Sequence, residues 1–208
     1  MGRYTGPACK ICRRLGMKLF LKGDRCYMAK CPIETGRPAP GQHGGRRSKL
    51  SDYGTQLREK QRLRKTYGMQ EAQFRVFFER AQRARGVTGE KLLQGLELRL
   101  DNLVYRLGFA PSRRAARQMV NHGHIAVNGH KASIASMVLK SGDKVQVRDQ
   151  KQAREYAAKF MDIAEGRGLV KWLALDKANF EGAILHVPTR EEIAPEVNEQ
   201  LIVELYSK

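Results

Sequence analysis

The stretch LRLDNLVYRLGFAPSRRAARQMVNHGHIAVNG, residues 98–129, restricts the fold more than any other part of the chain, because it sets two helix signatures, an arginine cluster and a hairpin turn in succession. Leu100, Leu103, Val104 and Leu107 recur at the spacing that gathers apolar side chains on one helical face, and Gly108 stands where a left-handed C-cap residue sits. Ser112 can accept hydrogen bonds from the open N–H groups of a second helix, with Ala115, Ala116, Met119 and Val120 inward and Gly123 as its stop. The other face of that helix carries Arg113, Arg114 and Arg117, neighbours at helical spacing, in the first turns where backbone N–H groups already favour anions. Phosphate is the expected anion. Ile125 and Val127 then alternate with smaller residues, Asn128-Gly129 is a type I′ turn dipeptide, and His130 to Ala132 begins a return strand. A helix pair docked on a hairpin is the local expectation.

All four cysteines lie in the first 47 residues, as Cys9-x2-Cys12 and Cys26-x4-Cys31. This pair-plus-pair spacing resembles a tetrahedral zinc site, and in a reducing compartment disulfides are the poorer explanation. Beyond Ile11, Leu15, Leu19, Phe20, Leu21 and Ile33 the segment has few bulky apolar groups, so it is expected to need the metal to fold. A structural zinc supplies about 10–16 kcal/mol apparent in small finger peptides. Cysteine-only ligation also suits an iron–sulfur cluster, and Cys31-Pro32 resembles the cysteine-proline ending of ferredoxin motifs. The metal expectation is therefore Zn2+, with the cluster as the alternative. His43 is a conceivable substitute ligand, but a loop residue meeting RNA fits better because four cysteines already close a structural site.

Between Glu34 and Lys49 the run ETGRPAPGQHGGRRSK combines prolines with a Gly-Gly pair and then Arg46, Arg47 and Lys49. It reads as an arm that orders on binding, a plain flexible linker being the alternative. Ser51 or Asp52 caps a strongly basic helix through about Thr66, and Glu71 to Ala84 is an amphipath with Ala72, Val76, Phe77 and Ala81 at helical spacing. Phe74, Phe77 and Phe78 are expected in the core. Thr88 opens a helix through Leu92, Leu93 and Leu96. Past the hairpin, Val145-Gln-Val147 reads as strand, and Lys151 to Glu165 as a helix with Tyr156, Ala157, Phe160 and Ala164 inward. Trp172 to Leu175 and Ala183 to Val187 suit further strands. Thr189-x-x-Glu192 has the capping-box pattern, and Leu201, Ile202, Leu205 and Tyr206 suit a terminal docking helix, although the Leu-Ile-Val triplet also fits a strand.

Charge decides the partner class. Lys and Arg number 39 against 21 Asp and Glu, for a net +18. Residues 1–50 carry +10, 51–99 carry +5, 100–150 carry +5 and 151–208 carry −2. A polyanion is implied for the first three quarters, and protein or solvent for the last. No apolar run approaches the roughly 18 residues of a bilayer span, and MGRYTGPACK lacks a signal-peptide core, so a cytoplasmic protein without membrane contact is expected.

The run RLDNLVYRLGFAPSRRAARQMVNHGHIAVNG resembles the RNA-binding domain named after ribosomal small-subunit protein four. That module also occurs in pseudouridine synthases and some aminoacyl-tRNA synthetases, so the flanks must discriminate. GPACKICRRLG, PGQHGGRRSKLSDYG and NEQLIVELYSK extend the likeness to the bacterial ribosomal protein four family over essentially the whole chain. The resemblance implies a structural constituent of the small subunit that binds 16S rRNA as a primary binder and nucleates assembly of the subunit body. It further implies ribosomal small-subunit proteins five and three as neighbours, mRNA near the path by which it enters, and a contribution to translational accuracy. By the same resemblance, many members replace the cysteines.

No room remains for a catalytic domain, and no GxSxG or P-loop string occurs, so an RNA-modifying enzyme is disfavoured. A zinc-dependent DNA-binding regulator would need a recognition helix and a dimer element. The expected class is α+β, with a metal-bound extension and basic arm (1–47), a helical domain (48–97, with a terminal helix of 189–208 docking on it) and an RNA-binding domain of helices packed on an antiparallel sheet (98–188). A homo-oligomer is not expected. The residues expected on RNA are Arg3, Lys10, Arg13, Arg14, Lys22, Arg25 and Arg37, then His43, Arg46, Arg47 and Lys49 in the arm. Arg58, Arg62 and Lys65 join them on the basic helix, and Arg113, Arg114, Arg117, His122, His124 and Lys131 in the module.

Overall fold

A computed structural model describes residues 4–45, 49–166, 168–193 and 197–207, with the backbone alone at 163–165. The chain divides into two compact units, one of residues 1–91 with 195–208 and one of residues 92–194. The fold is α+β: among the described residues there are eight α-helices and one antiparallel five-stranded sheet.

In the first unit, α1 (Ala8–Leu15) ends at Gly16, whose N–H returns to the Cys12 carbonyl at 2.8 Å. A single 3₁₀ turn, Gly23–Cys26, follows. The sequence reading treated this segment as metal-held loops and did not expect a helix. In α2 (Asp52–Thr66), Ser51 Oγ accepts the Gly54 N–H at 3.2 Å, as an N-cap should. The amphipath forms as α3 (Glu71–Arg83), but its buried residues are Phe74, Phe78 and Ala81, while Ala72 and Val76 are exposed. The reason lies in α8 (Glu199–Tyr206). Its Tyr206 ring stacks on Phe78 at 4.4 Å and on Phe74 at 6.4 Å, and that partner sets which stripe turns inward. The Tyr206 hydroxyl donates to Glu71 Oε1 (3.0 Å), which also takes Lys60 Nζ (2.6 Å). Burial, then the bond to Glu71, pushes the Tyr206 phenol well above its usual range. The helix α8 starts at Asn198, whose Oδ1 accepts from the Gln200 and Leu201 N–H groups. Thr189 and Glu192, expected to open it, instead close a separate turn in the second unit.

The second unit is built on α5 (Leu100–Arg106) and α6 (Arg113–Asn121), packed on strands β1 (Ile125–Val127), β2 (His130–Ala132), β3 (Lys144–Val147), β4 (Leu173–Asp176) and β5 (Glu181–Ile184). The helix α4 (Thr88–Glu97) leads into it. Strand order is β2-β1-β3-β5-β4, and every neighbouring pair is antiparallel. Register at the hairpin runs from Ile125 opposite Ala132 to Val127 opposite His130, across Asn128 (φ 49°) and Gly129 (φ 81°). Positive φ at both loop residues is what the type I′ turn demands and what Asn-Gly tolerates. Asp143 fastens this turn: its carboxylate accepts the Lys140 N–H (2.7 Å) and the Asn128 amide (2.9 Å), and those bonds hold its pKa below the ordinary range.

Leu100, Leu103, Val104 and Leu107 are buried as their spacing requires, against Ile125, Val145, Val147 and Ile184 from the sheet and Trp172. Each such side chain contributes about 1.5–3 kcal/mol on burial. From α7 (Lys151–Glu165) the core takes Ala153, Ala157 and Met161. Tyr156 is exposed and Phe160 half-buried, contrary to the sequence expectation, and the Ala164 side chain lies outside the described residues. The smaller residues let this helix approach β3 closely, and the two aromatic rings are left at its flank. In β5, a Cβ on Gly182 would overlap the Leu107 side chain, itself only 1% exposed. Gly182→Ala should therefore destabilise the second unit by about 1–3 kcal/mol, seen as a lower urea midpoint. An unchanged midpoint would mean that Leu107 moves aside freely.

Candidate nucleic-acid interface

Nucleic-acid recognition begins with where cations are held and how firmly. Ser112 caps α6 by accepting the Ala115 N–H (3.3 Å), which fixes the first turn and the three arginines on it. Arg114 is exposed. Arg113 and Arg117, expected on the solvent side, are half-buried and tied to α5. Arg113 Nε donates to Asn102 Oδ1 (2.7 Å), and its guanidinium lies 4.7 Å from the centroid of the Tyr105 ring. Arg117 Nη1 meets Asp101 Oδ2 at 3.2 Å.

Both partners belong to a buried polar network. Asp101 receives Arg99 through two bonds, Nε to Oδ1 at 3.0 Å and Nη2 to Oδ2 at 2.7 Å, with Arg99 fully buried. Glu97, also fully buried, receives Arg106 through Nε (3.0 Å) and Nη2 (2.6 Å) and the Asn102 amide at 2.7 Å. Two-pronged pairing of this kind is the geometry in which a buried ion pair offsets its desolvation. The arginine face of α6 is therefore held from behind by carboxylates and an amide, and it is a rigid surface. The sequence carried no sign of this, because Asp101 and Asn102 read only as polar positions of a helix.

At the far end of α6, His122, His124 and Lys131 come together around Gly123. The Lys131 stem lies against Gly123, the two imidazole centroids are 6.0 Å apart, and His124 Nδ1 is 2.8 Å from Gln150 Oε1. Arg148, which the sequence reading passed over, braces the bend by donating to the Gly123 carbonyl at 3.1 Å. Its own N–H bonds the His124 carbonyl.

In the first unit Lys10, Arg14, Lys22, Arg25, Arg37, His43, Lys49 and Arg58 are exposed. Arg13 is half-buried and donates to the Pro38 carbonyl (2.9 Å), so it secures the loop as well as carrying charge. Arg62 is half-buried beside Glu59 at 3.5 Å. Lys65 is half-buried with its ammonium 4.7 Å from the Tyr4 ring centroid, and burial followed by the Arg64 charge lowers its pKa. Arg3, Arg46 and Arg47 lie outside the described residues.

The expected metal is corrected. Among the described residues, which include all four cysteines, no group of three or more His, Cys, Asp or Glu is disposed to hold a metal ion. Neither zinc nor an iron–sulfur cluster is supported at Cys9, Cys12, Cys26 and Cys31. The four are free, with Cys12, Cys26 and Cys31 buried and Cys9 half-buried. Burial raises the Cys12 and Cys26 thiols above their ordinary range, more than the N–H groups of Leu19 and Lys22 lower them, and the neighbouring sulfurs add to the rise. Cys12, Cys26 and Cys31 are instead packed away from solvent as small side chains of the first unit.

No described helix is long and apolar enough to cross a membrane. The pattern of the family described as "Ribosomal protein S4/S9 N-terminal domain" matches residues 3–97, and that of the S4 domain matches residues 98–145. The class is thus an S4-type RNA-binding domain joined to the N-terminal domain that accompanies it in ribosomal proteins. The small ribosomal subunit proteins uS4 of Acidithiobacillus ferrooxidans, Trichlorobacter lovleyi and Thermoanaerobacter pseudethanolicus are 52%, 54% and 53% identical, each over 208 residues and the whole of both chains. The chain belongs to the uS4 family of small-subunit ribosomal proteins, which are structural and not enzymatic.

Proposed function

We propose that this chain is a structural constituent of the small ribosomal subunit that binds 16S rRNA directly and early, nucleating assembly of the subunit body in the cytoplasm. The observation that carries the reading is the braced cationic face of α6, where Arg113, Arg114 and Arg117 continue into His122, His124 and Lys131 within an S4 domain. Phosphate contacts of this kind position a protein on folded RNA more than they read its sequence. The extension 1–47 and the α2 face of the helical domain add cations for a second stretch of backbone. Residues 166–208 hold five basic against seven acidic residues, and that part is left for neighbours in the subunit, with ribosomal small-subunit proteins five and three as the partners and mRNA nearby. A contribution to translational accuracy follows from contact with protein five.

Residues 1–150 carry a net +20, so on the order of eight phosphates should be neutralised. The logarithm of the binding constant for 16S rRNA should then fall against log salt with a slope of roughly −6. Filter binding across a salt series measures it, with hydroxyl-radical footprinting on 16S rRNA to locate the protection. A slope shallower than about −2, or no protected site, would remove the proposal.

A further inference from the structure

Between α6 and α7 the second unit leaves an open recess of about 210 Å3, bordered at His122 and His124 by the cationic face of α6. Its apolar lining comes from Ala115 and Met119 of α6 and Ala153 of α7. Ring side chains, His122 and Tyr156, stand at its sides, with His124 beside them. Gln118 and Gln152 supply carboxamides, each able to donate and to accept.

These walls are set in advance of any ligand. The Phe160 ring meets Tyr156 edge-on, centroids 4.8 Å apart at 61°, and His124 is anchored to Gln150 at 2.8 Å. Tyr156 remains 39% exposed although Ala153 and Ala157, on the same helix, are fully packed, so the core does not account for its ring. On the same two helices, exposed Arg114 lies one turn before Gln118, exposed Lys151 directly precedes Gln152 and exposed Lys159 follows Tyr156 by three residues, with the exposed carboxylate of Glu155 among them.

An apolar lining, ring side chains, carboxamide donors and acceptors and cations on the same two helices match three parts of a nucleotide: base faces, base edge and phosphate. An apolar side chain from a protein partner would leave both carboxamides and the imidazoles without matching groups. A paired base cannot enter, because its faces are stacked and its edge is occupied. Resting on the reading of α6 as an RNA-binding surface, we propose that the recess takes one unstacked base of single-stranded RNA, held against Tyr156 and His122 and contacted along its edge by Gln118 and Gln152.

The test uses the full chain and three probes: a short single-stranded RNA, the same strand with one base removed at the centre, and a perfect duplex of that sequence. By fluorescence anisotropy, Tyr156→Leu should weaken single-strand binding roughly five- to a hundredfold, the loss expected for one stacked base. Gln152→Ala should weaken it severalfold, and duplex binding should stay as in the parent for both. The base-deleted strand should bind the parent protein as weakly as the intact strand binds Tyr156→Leu. NMR signals of the Tyr156 and His122 rings should move with the single strand and stay with the duplex. Should Tyr156→Leu melt early, Gln152→Ala and the base-deleted strand carry the decision. Equal affinity for the intact and base-deleted strands, or equal losses on single strand and duplex, would overturn the recess while 16S rRNA binding persists. Loss of all RNA binding by the parent chain would instead remove the reading beneath it.

Discussion

Asp101→Ala should cost about 3–5 kcal/mol of the second unit's stability, the usual consequence of removing one partner from a buried ion pair. Arg99 is fully buried and Asp101 5% exposed, so water cannot replace the two bonds that join them. Loss of the carboxylate also releases Arg117, 3.2 Å away, and with it one of the ties between α5 and the face of α6. Asp101→Asn, which keeps the shape and part of the hydrogen bonding, should cost less. Replacing both members, Arg99→Met with Asp101→Leu, should cost less than Asp101→Ala alone, because the fully buried Arg99 guanidinium is then not left without its carboxylate. Urea unfolding of the set provides the comparison. A loss below about 1 kcal/mol for Asp101→Ala would show that the network relaxes or hydrates, and that the arginine face is not held from behind.

Much of the second unit was legible because its signals are local. Ser112 as a cap, Gly123 as a stop and Asn128-Gly129 as a turn each act through backbone groups within a few residues. The structure has them in those roles. Buried faces were harder to phase. The spacing of α3 allowed Ala72 and Val76 as readily as Phe74 and Phe78, and only the Tyr206 ring, from the other end of the chain, selects the second pair. In α7 the inward position of Ala157 was legible, but the rings of Tyr156 and Phe160 outweigh an alanine in any hydrophobicity count, whereas the core takes Ala153 and Met161 beside Ala157.

The first segment was misread for a different reason. Cysteine spacing is a strong pattern, and it hid both α1 and the ability of buried thiols to pack as ordinary small side chains. For the interface, composition and the arginine triplet pointed to α6. The partners that hold Arg113 and Arg117 lie 11 and 16 residues back, and no periodicity encodes them.

Those partners change what an arginine scan of α6 should report. Arg114→Ala removes an exposed cation and should weaken 16S rRNA binding about tenfold, the worth of one charge-assisted hydrogen bond. Arg117→Ala strips one bond from the Asp101 carboxylate, and Arg113→Ala leaves the Asn102 carbonyl oxygen without its 2.7 Å donor. Each should therefore cost about 1–3 kcal/mol of stability in addition to any loss on RNA. Lys in place of Arg113 should not restore stability, since a point charge supplies neither the Nε donor nor the planar stack on Tyr105. The triple change to Ala would lose binding through both routes at once and so could not assign a role to charge. Affinity and melting measured side by side for the three single variants separate the routes. Arg114→Ala must move binding, and Arg113→Ala and Arg117→Ala must move both binding and the midpoint. A midpoint that stays put in all three would return these arginines to the solvent face, and equal rRNA affinity in all three would deprive α6 of its part in the interface.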